Sequence, residues 1–295
     1  MMRFAVRLLA VAICSVLFVA FVRAQALERV LYVSALDRAT RAPVEKLTVD
    51  DLRVTEDGVV REVLRVEPAT SPMPIAVLVD NQAAAEATIA DLRKGLASFL
   101  KSVDGLGPVA IVSVADRPTI LQDYTTDQAT LQQAARQIFA RPDSGATMLD
   151  AIVEISRGLS RRESDRAAIV LVSMEQTEFS NLHFSQVLDP LRSSGAMMSA
   201  VVLLNAAGST RDDPARNRAV VLDRGVKETG GWREDVLASM SYEAALLKIA
   251  GALRHQHRVV YGRPETLIPP ERIDVSATKE GTIVAGAPAR GQQDR

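Results

Sequence analysis

Asp80 ends a run of five apolar residues, Ile-Ala-Val-Leu-Val at positions 75–79, and a helix-like pattern follows it. A short apolar run bounded by Pro74 and Asp80 is typical of a strand covered on both faces, as in the centre of a parallel sheet. Ligands of such sheets lie beyond the carboxyl ends of the strands. Asp80 is therefore the first candidate for chemistry in this sequence, and its neighbours decide what that chemistry is.

The segment Asp80-Asn81-Gln82-Ala83-Ala84 resembles the loop after the first strand of a von Willebrand factor type A domain. In that family the strand ends in Asp-x-Ser-x-Ser, and the acid and the hydroxyls hold a divalent metal. This sequence keeps the acid, but Gln82 and Ala84 stand where the two hydroxyls belong. The resemblance therefore implies a first metal loop that survives only in part.

The resemblance places the second metal loop at residues 144–151, Ser-Gly-Ala-Thr-Met-Leu-Asp-Ala. Thr147 looks like the hydroxyl ligand of this loop. The following helix fixes the register, however, and counting back from it without a gap puts Ala146 in the threonine position. A methyl group cannot coordinate a metal.

The third loop follows the apolar run that ends at Ser173, where the family commonly has Asp-Gly. Here the sequence reads Met174-Glu175, so the carboxylate is displaced by one position and has a longer side chain. Magnesium prefers near-octahedral oxygen coordination. With one sure carboxylate, a divalent ion is expected to bind weakly, and Asp80 is expected to cap the helix after it.

Strand-like and helix-like patterns alternate from residue 73 to 257, which predicts a doubly wound, mainly parallel α/β sheet of the von Willebrand type A or Rossmann-like class. The charged segment 205–218 is interrupted by Gly and Pro and predicts a surface loop. Thr229-Gly230-Gly231 resembles the segment before the last sheet strand of the family. Strands are predicted at 75–79, 108–115, 119–124, 167–173 and 198–204, and helices at 83–103, 127–138, 148–159, 184–192 and 242–253.

Residues 27–70 predict a small antiparallel β module, completed by residues 258–285. Its strands include 30–36, 52–56 and 59–66, and Asp57-Gly58 between the last two is a strong hairpin signal. This stretch resembles the opening of the bacterial exported VWFA-related domain family. The tail, 286–295, is expected to be disordered.

Residues 1–24 have the composition of a signal peptide: Arg3 and Arg7 precede an apolar stretch at 8–22, and small residues follow. The protein is therefore expected to be exported, to the periplasm or the exterior, with membrane attachment only if this segment is retained as an anchor. Cys14 is the sole cysteine and lies within this segment, so the mature chain has no disulfide and no cysteine metal ligand.

Removing this segment takes away three arginines and no acid, which moves the formal net charge from −1 to −4. A mildly acidic chain lacks the electrostatic footprint of a nucleic-acid-binding protein. The sequence also contains no Gly-x-Ser-x-Gly elbow, no phosphate-binding glycine loop and no His-Glu-x-x-His. Nucleic-acid binding is excluded, and an enzyme is not indicated.

The sequence therefore predicts a non-enzymatic module that binds an unknown protein partner, with no cofactor. Its contacts are expected from Asn81, Gln82, Thr147 and Glu175, in place of a bridging ion, and segment 205–218 can add to them. One alternative is metal-dependent adhesion, with Mg²⁺ or Mn²⁺ held by Asp80, Thr147 and Glu175. A third hypothesis is a hydrolase assembled from distant loops.

Overall fold

The computed structural model describes residues 26–204, 212–264, 268, 270 and 272–289. The predicted signal segment, 1–24, lies outside these residues. Numbered along the chain, the strands are β1 Ala26–Asp37, β2 Leu52–Glu56, β3 Val59–Arg61, β4 Val63–Pro68, β5 Ile75–Val79, β6 Val109–Ser113, β7 Thr119–Thr125, β8 Ala167–Met174, β9 Ala196–Leu203, β10 Arg233–Val236, β11 His257–Pro264, β12 Ile273–Ala277 and β13 Thr282–Pro288. The α-helices are α1 Ile89–Ser102, α2 Gln128–Arg136, α3 Met148–Ser160, α4 Phe184–Ser193, α5 Asp213–Val220, α6 Val226–Glu228 and α7 Tyr242–Arg254.

Six strands form the central sheet in the order β10-β9-β8-β5-β6-β7. Its strands are parallel except β7, which pairs antiparallel with β6 at one edge. All five residues of β5 are buried, because Ile75, Val77 and Val79 face the core under α1, α2 and α7, whereas Ala76 and Leu78 face the core under α3 and α4. The predicted α/β class with a mainly parallel sheet is confirmed.

The β module is a sandwich of two antiparallel sheets, ordered β13-β1-β11-β4 and β12-β2-β3. Leu31, Val54, Val259 and Tyr261 are fully buried between them. The late strands pair with the early ones, since β11 lies beside β1 and β12 lies beside β2. The prediction that the two ends of the chain build one antiparallel module is confirmed.

Two predictions for this module are corrected, one of a strand and one of a disordered tail. The predicted strand 59–66 is broken at Glu62, with β3 pairing to β2 and β4 pairing to β11 in the other sheet. Arg61 and Glu62 are two polar residues in succession, so the apolar–polar alternation shifts by one position at the break. Residues 286–288, expected to be disordered, belong to β13, which pairs with β1 over residues 282–288. Residues 290–295 lie outside the described residues.

The predicted surface loop 205–218 is also corrected in part. Residues 205–211 lie outside the described residues, but Asp212 caps α5, its carboxylate accepting a hydrogen bond from Ala215 N at 2.9 Å. Pro214 occupies the first turn, where a proline is tolerated because its missing N–H needs no partner. The helix continues through a π-helical turn, Val221–Gly225, into α6.

Within the described ranges, no helix is both long enough and apolar enough to cross a membrane.

Candidate functional site

The site lies where β5 and β8 end side by side at the carboxyl edge of the sheet. Asp80 directly follows β5, and its N–H donates to Val172 O at 2.9 Å, which carries the pairing with β8 one residue beyond the strand. Ser173 and Met174 are the last residues of β8. The two strand ends therefore bring Asp80 against Ser173 and Met174, as the parallel register requires.

Asp80 is only 3% exposed, and its carboxylate accepts hydrogen bonds from neighbouring residues. Oδ1 accepts from Gln82 N at 3.3 Å, and Oδ2 accepts from Gln82 Nε2 at 3.1 Å, Ser173 Oγ at 3.2 Å and Met174 N at 3.3 Å. Burial raises the pKa of Asp80 above its usual value, while Arg218 and these hydrogen bonds act in the opposite direction. The carboxylate is thus already satisfied from within the protein.

Arg218 on α5 supplies the positive charge of the site and is 4% exposed. Its Nη2 donates to Ser173 Oγ at 3.2 Å and to Met174 O, and its Nη1 donates to Gln176 O at 2.6 Å. Burial lowers the pKa of Arg218, whereas the nearby carboxylates of Asp80, Glu178 and Glu175 raise it. A guanidinium therefore ties the end of β8 and the loop after it to α5.

Glu178 is a second buried acid of the site, with 2% exposure. Its Oε1 accepts from Ser180 N at 3.1 Å, and its Oε2 has no hydrogen-bond partner among the described residues. Burial raises the pKa of Glu178 to about 7, and hydrogen bonds from Ser180 and the charge of Arg218 oppose the rise. Neither Glu178 nor Arg218 was predicted as a site residue, because neither stands directly at the end of a strand.

Three of the four predicted partner contacts are instead internal. Asn81, Gln82 and Thr147 are all buried. Asn81 Nδ2 donates to Phe139 O at 2.9 Å, and Thr147 Oγ1 donates to Val114 O at 3.0 Å. These side chains hold loops of the protein together and are covered in the described structure, and their contact with a partner stays a prediction.

The remaining predicted residues divide between buried and exposed positions. Ala146 is buried and forms single bridges to Ala115 and Glu178, and Ala84 is exposed on the short helical turn Ala83–Thr88. Glu175 is partly exposed, and its N–H donates to Leu203 O at 2.8 Å. Only Asp80 and Glu175 of the predicted metal ligands bring a carboxylate to the site.

The donor set does not fit a divalent metal. Ala84 and Ala146 offer methyl groups, Gln82 presents its amide N–H to Asp80, and the Thr147 hydroxyl points at a carbonyl. Arg218 lies close enough to Asp80 to lower its pKa, and it would repel a second cation. In the part of the chain that the structure describes, no group of three or more His, Cys, Asp and Glu side chains is arranged to hold a metal.

Two phenylalanines stand on loops that contact the Asp80 site, each with 64% of its surface exposed. The Phe139 loop is attached to the Asp80 loop by the Asn81 bond and by Arg141 N donating to Asn81 O at 2.8 Å. The guanidinium carbon of Arg93 lies 4.2 Å from the centre of the Phe139 ring. Phe179 N donates to Ala146 O at 2.8 Å, and its ring lies against Gly145. We call Phe139 and Phe179 the aromatic rim.

Solved structures resemble this chain at low sequence identity. A von Willebrand factor type A structure from Catenulispora acidiphila is 8% identical, with 90% of this chain and 73% of that chain covered and a TM-score of 0.51. The conserved hypothetical protein BatB from Bacteroides thetaiotaomicron is 11% identical, with coverage of 60% and 97% and a TM-score of 0.45. A mutant of the PilB minor pilin from Streptococcus sanguinis is 9% identical, with coverage of 63% and 62% and a TM-score of 0.49.

No protein-family model and no curated protein matches the sequence. The sheet order, the helices on both faces and the structural similarity agree on the architecture that the Asp80 segment predicted. The chain therefore contains a domain with the fold of von Willebrand factor type A domains.

Proposed function

We propose that the protein is an exported, non-enzymatic module that binds a partner protein at the carboxyl edge of its central sheet, without a bridging metal ion. The observation that carries this proposal is the aromatic rim, Phe139 and Phe179, exposed on the loops next to a closed and buried Asp80 site. Fold analogy alone gives no partner, whereas these exposed side chains offer a surface on which one can bind.

Large apolar side chains on a constrained surface are typical anchors of protein interfaces. Of the four phenylalanines beyond residue 24, two are buried or half-buried and two form the aromatic rim. Leu237 and Met240, on the loop between β10 and α7, add strongly exposed apolar surface at the same edge of the sheet. Because hydrogen bonds fix the loops of the rim, little conformational entropy is lost when a partner binds.

Export is supported by the sequence of residues 1–24, whose basic start and apolar stretch have the form of a signal peptide. The resulting net charge of −4 keeps the module soluble without attracting nucleic acid. A binding module on the cell surface or in the periplasm is consistent with both features.

One histidine–hydroxyl contact bears on the hydrolase hypothesis. His183 Nδ1 lies 2.9 Å from Ser185 Oγ, but His183 is the N-cap of α4 and its Nδ1 also accepts from Ser185 N at 3.4 Å. The contact is therefore explained by helix capping. A nucleophile needs a base that a third group orients, and the residues that the structure describes give His183 no hydrogen-bonded carboxylate. This favours the non-enzymatic proposal.

The test is site-specific photo-crosslinking in the cells that produce the protein. The photoreactive residue p-benzoylphenylalanine replaces Phe139 or Phe179 in turn, and it replaces Val60 as the control, since Val60 is 59% exposed on the β module. We expect one adduct of the same mass from both rim positions, none from position 60, and an unchanged yield when EDTA is present. Absence of rim adducts, or the same adduct from position 60, contradicts the proposal. An adduct that EDTA abolishes supports metal-dependent adhesion instead.

A further inference from the structure

We infer that Arg218 is a built-in cation, which takes the place beside Asp80 that a divalent ion takes in the family this sequence resembles. The inference rests on the contacts of the Asp80 site and is independent of the proposed partner. Three oxygens accept hydrogen bonds from its guanidinium: Ser173 Oγ, Met174 O and Gln176 O. These oxygens belong to the end of β8 and the loop after it, next to Asp80.

The charges around Arg218 favour a resident cation. Asp80 comes from the loop after β5, and Glu175 and Glu178 come from the loop after β8; the charges of all three carboxylates raise the pKa of Arg218. The charge of Arg233 acts in the opposite direction. A buried charge needs hydrogen bonds and nearby opposite charges to compensate its burial. Nη1 and Nη2 of Arg218 are hydrogen-bonded and the three carboxylates favour its charged form, while its Nε has no hydrogen-bond partner among the described residues.

Arginine suits this place better than a bound ion given the side chains present. Its planar guanidinium offers five N–H donors to several acceptors at once, and it remains charged at any physiological pH. The alanines at 84 and 146 remove oxygens that an ion would need, but a guanidinium donates to the backbone carbonyls of Met174 and Gln176. The carboxyl edge is therefore held in its shape whether or not divalent ions are available.

A second consequence is that Arg218 excludes a divalent ion. Repulsion between like charges in a buried site is strong because the effective dielectric constant is low. Restoring the missing oxygens alone should therefore not restore metal binding. Restoring the oxygens and removing the guanidinium together should restore metal binding.

The test uses a matched pair of variants of the mature protein. The first, Q82S/A84S/A146T, restores the hydroxyls of the resembled pattern and retains Arg218. The second adds R218A to the same three substitutions. The readout is the thermal midpoint in EDTA and in millimolar Mn²⁺, because a ligand that binds only the native state raises the midpoint.

We expect no Mn²⁺ effect on the variant that retains Arg218, and a rise of about 2–4 °C, reversed by EDTA, in the variant that lacks it. A Mn²⁺-dependent rise with Arg218 present overturns the inference. The inference is also overturned if the variant with all four substitutions folds and its thermal midpoint does not change with Mn²⁺.

If the variant that combines all four substitutions does not fold, the triple variant still tests whether Arg218 excludes a divalent ion. Rescue of the single variant R218A by added guanidinium gives a second measurement. The single variant R218A is then refolded in low millimolar guanidinium chloride or in the same concentration of KCl. We expect a higher yield of native protein with guanidinium, whereas equal yields contradict a specific cation site. Crosslinking from the aromatic rim of the unaltered protein is unaffected by these outcomes, so failure of this inference and failure of the proposed function are separable.

Discussion

Arg218 and Asp80 are joined through one hydroxyl group. Ser173 Oγ accepts from Arg218 Nη2 at 3.2 Å and donates to Asp80 Oδ2 at 3.2 Å. Met174 makes a parallel connection, because its N–H donates to Asp80 and its carbonyl accepts from Arg218. The last two residues of β8 thus lie between the acid and the guanidinium, so β5, β8 and α5 are held by one polar network.

Replacing Ser173 tests this connection. S173A leaves Asp80 with one donor fewer and Arg218 with one acceptor fewer, so we expect the free energy of unfolding to fall by about 1–3 kcal/mol. The control is S156A, because Ser156 is also fully buried but its hydroxyl has no hydrogen-bond partner in the described structure. Removing the Ser156 hydroxyl should lower the free energy of unfolding by less than about 0.5 kcal/mol, or raise it slightly. Urea denaturation of both variants measures the difference, and equal losses would contradict the network.

Glu178 should make stability depend on pH. Its pKa is about 7 in the folded protein against an ordinary value of 4.5, so the folded state holds the proton more tightly than the unfolded state. Stability is therefore lost as the pH rises from about 4.5 to 7, by up to roughly 3 kcal/mol for this group.

The variant E178Q removes this dependence. We expect E178Q to be more stable than the unaltered protein at pH 8 and the difference to shrink towards pH 5. Unfolding free energies of the two proteins measured across this range provide the check. Parallel curves would show that Glu178 is not the group responsible.

Gly145 should control the position of Phe179. A Cβ atom at residue 145 would lie 1.8 Å from two atoms of the Phe179 ring, so G145A must displace the ring. The ring is exposed and can move into solvent, so we expect a stability cost of under about 1 kcal/mol. Crosslinking from position 139 should weaken because the aromatic rim loses its second member. The control is G158A: Gly158 lies on α3, and a Cβ there meets nothing within 4 Å. Undiminished crosslinking in G145A would exclude Phe179 from the interface.

Much of the fold follows from local sequence signals. The apolar run before Asp80 and the Asp57-Gly58 hairpin both act within a few residues, and the structure contains each as predicted. The pairing of β3 and β4 with strands of different sheets, and the formation of β13, depend on which partner strands are available. That information lies far away along the chain, so periodicity does not reveal it.

The site was predictable only where it coincides with a strand end. Asp80 could be identified because an acid closes an apolar run, whereas Arg218 lies in a charged stretch that resembles a surface loop. A usable signal does exist there: the cap Asp212 and Pro214 start a helix, and Arg218 then precedes the buried Val221 and Leu222 at helical spacing of three and four residues. That spacing places Arg218 on the buried face of the helix.

The most direct measurement is the thermal midpoint of the unaltered mature protein in EDTA and in millimolar Mg²⁺ or Mn²⁺. Because Arg218 supplies the positive charge beside Asp80, we expect the same midpoint in all three solutions. A midpoint that rises with either ion and falls again with EDTA would show that a divalent cation, and not the guanidinium, holds the carboxyl edge of the sheet.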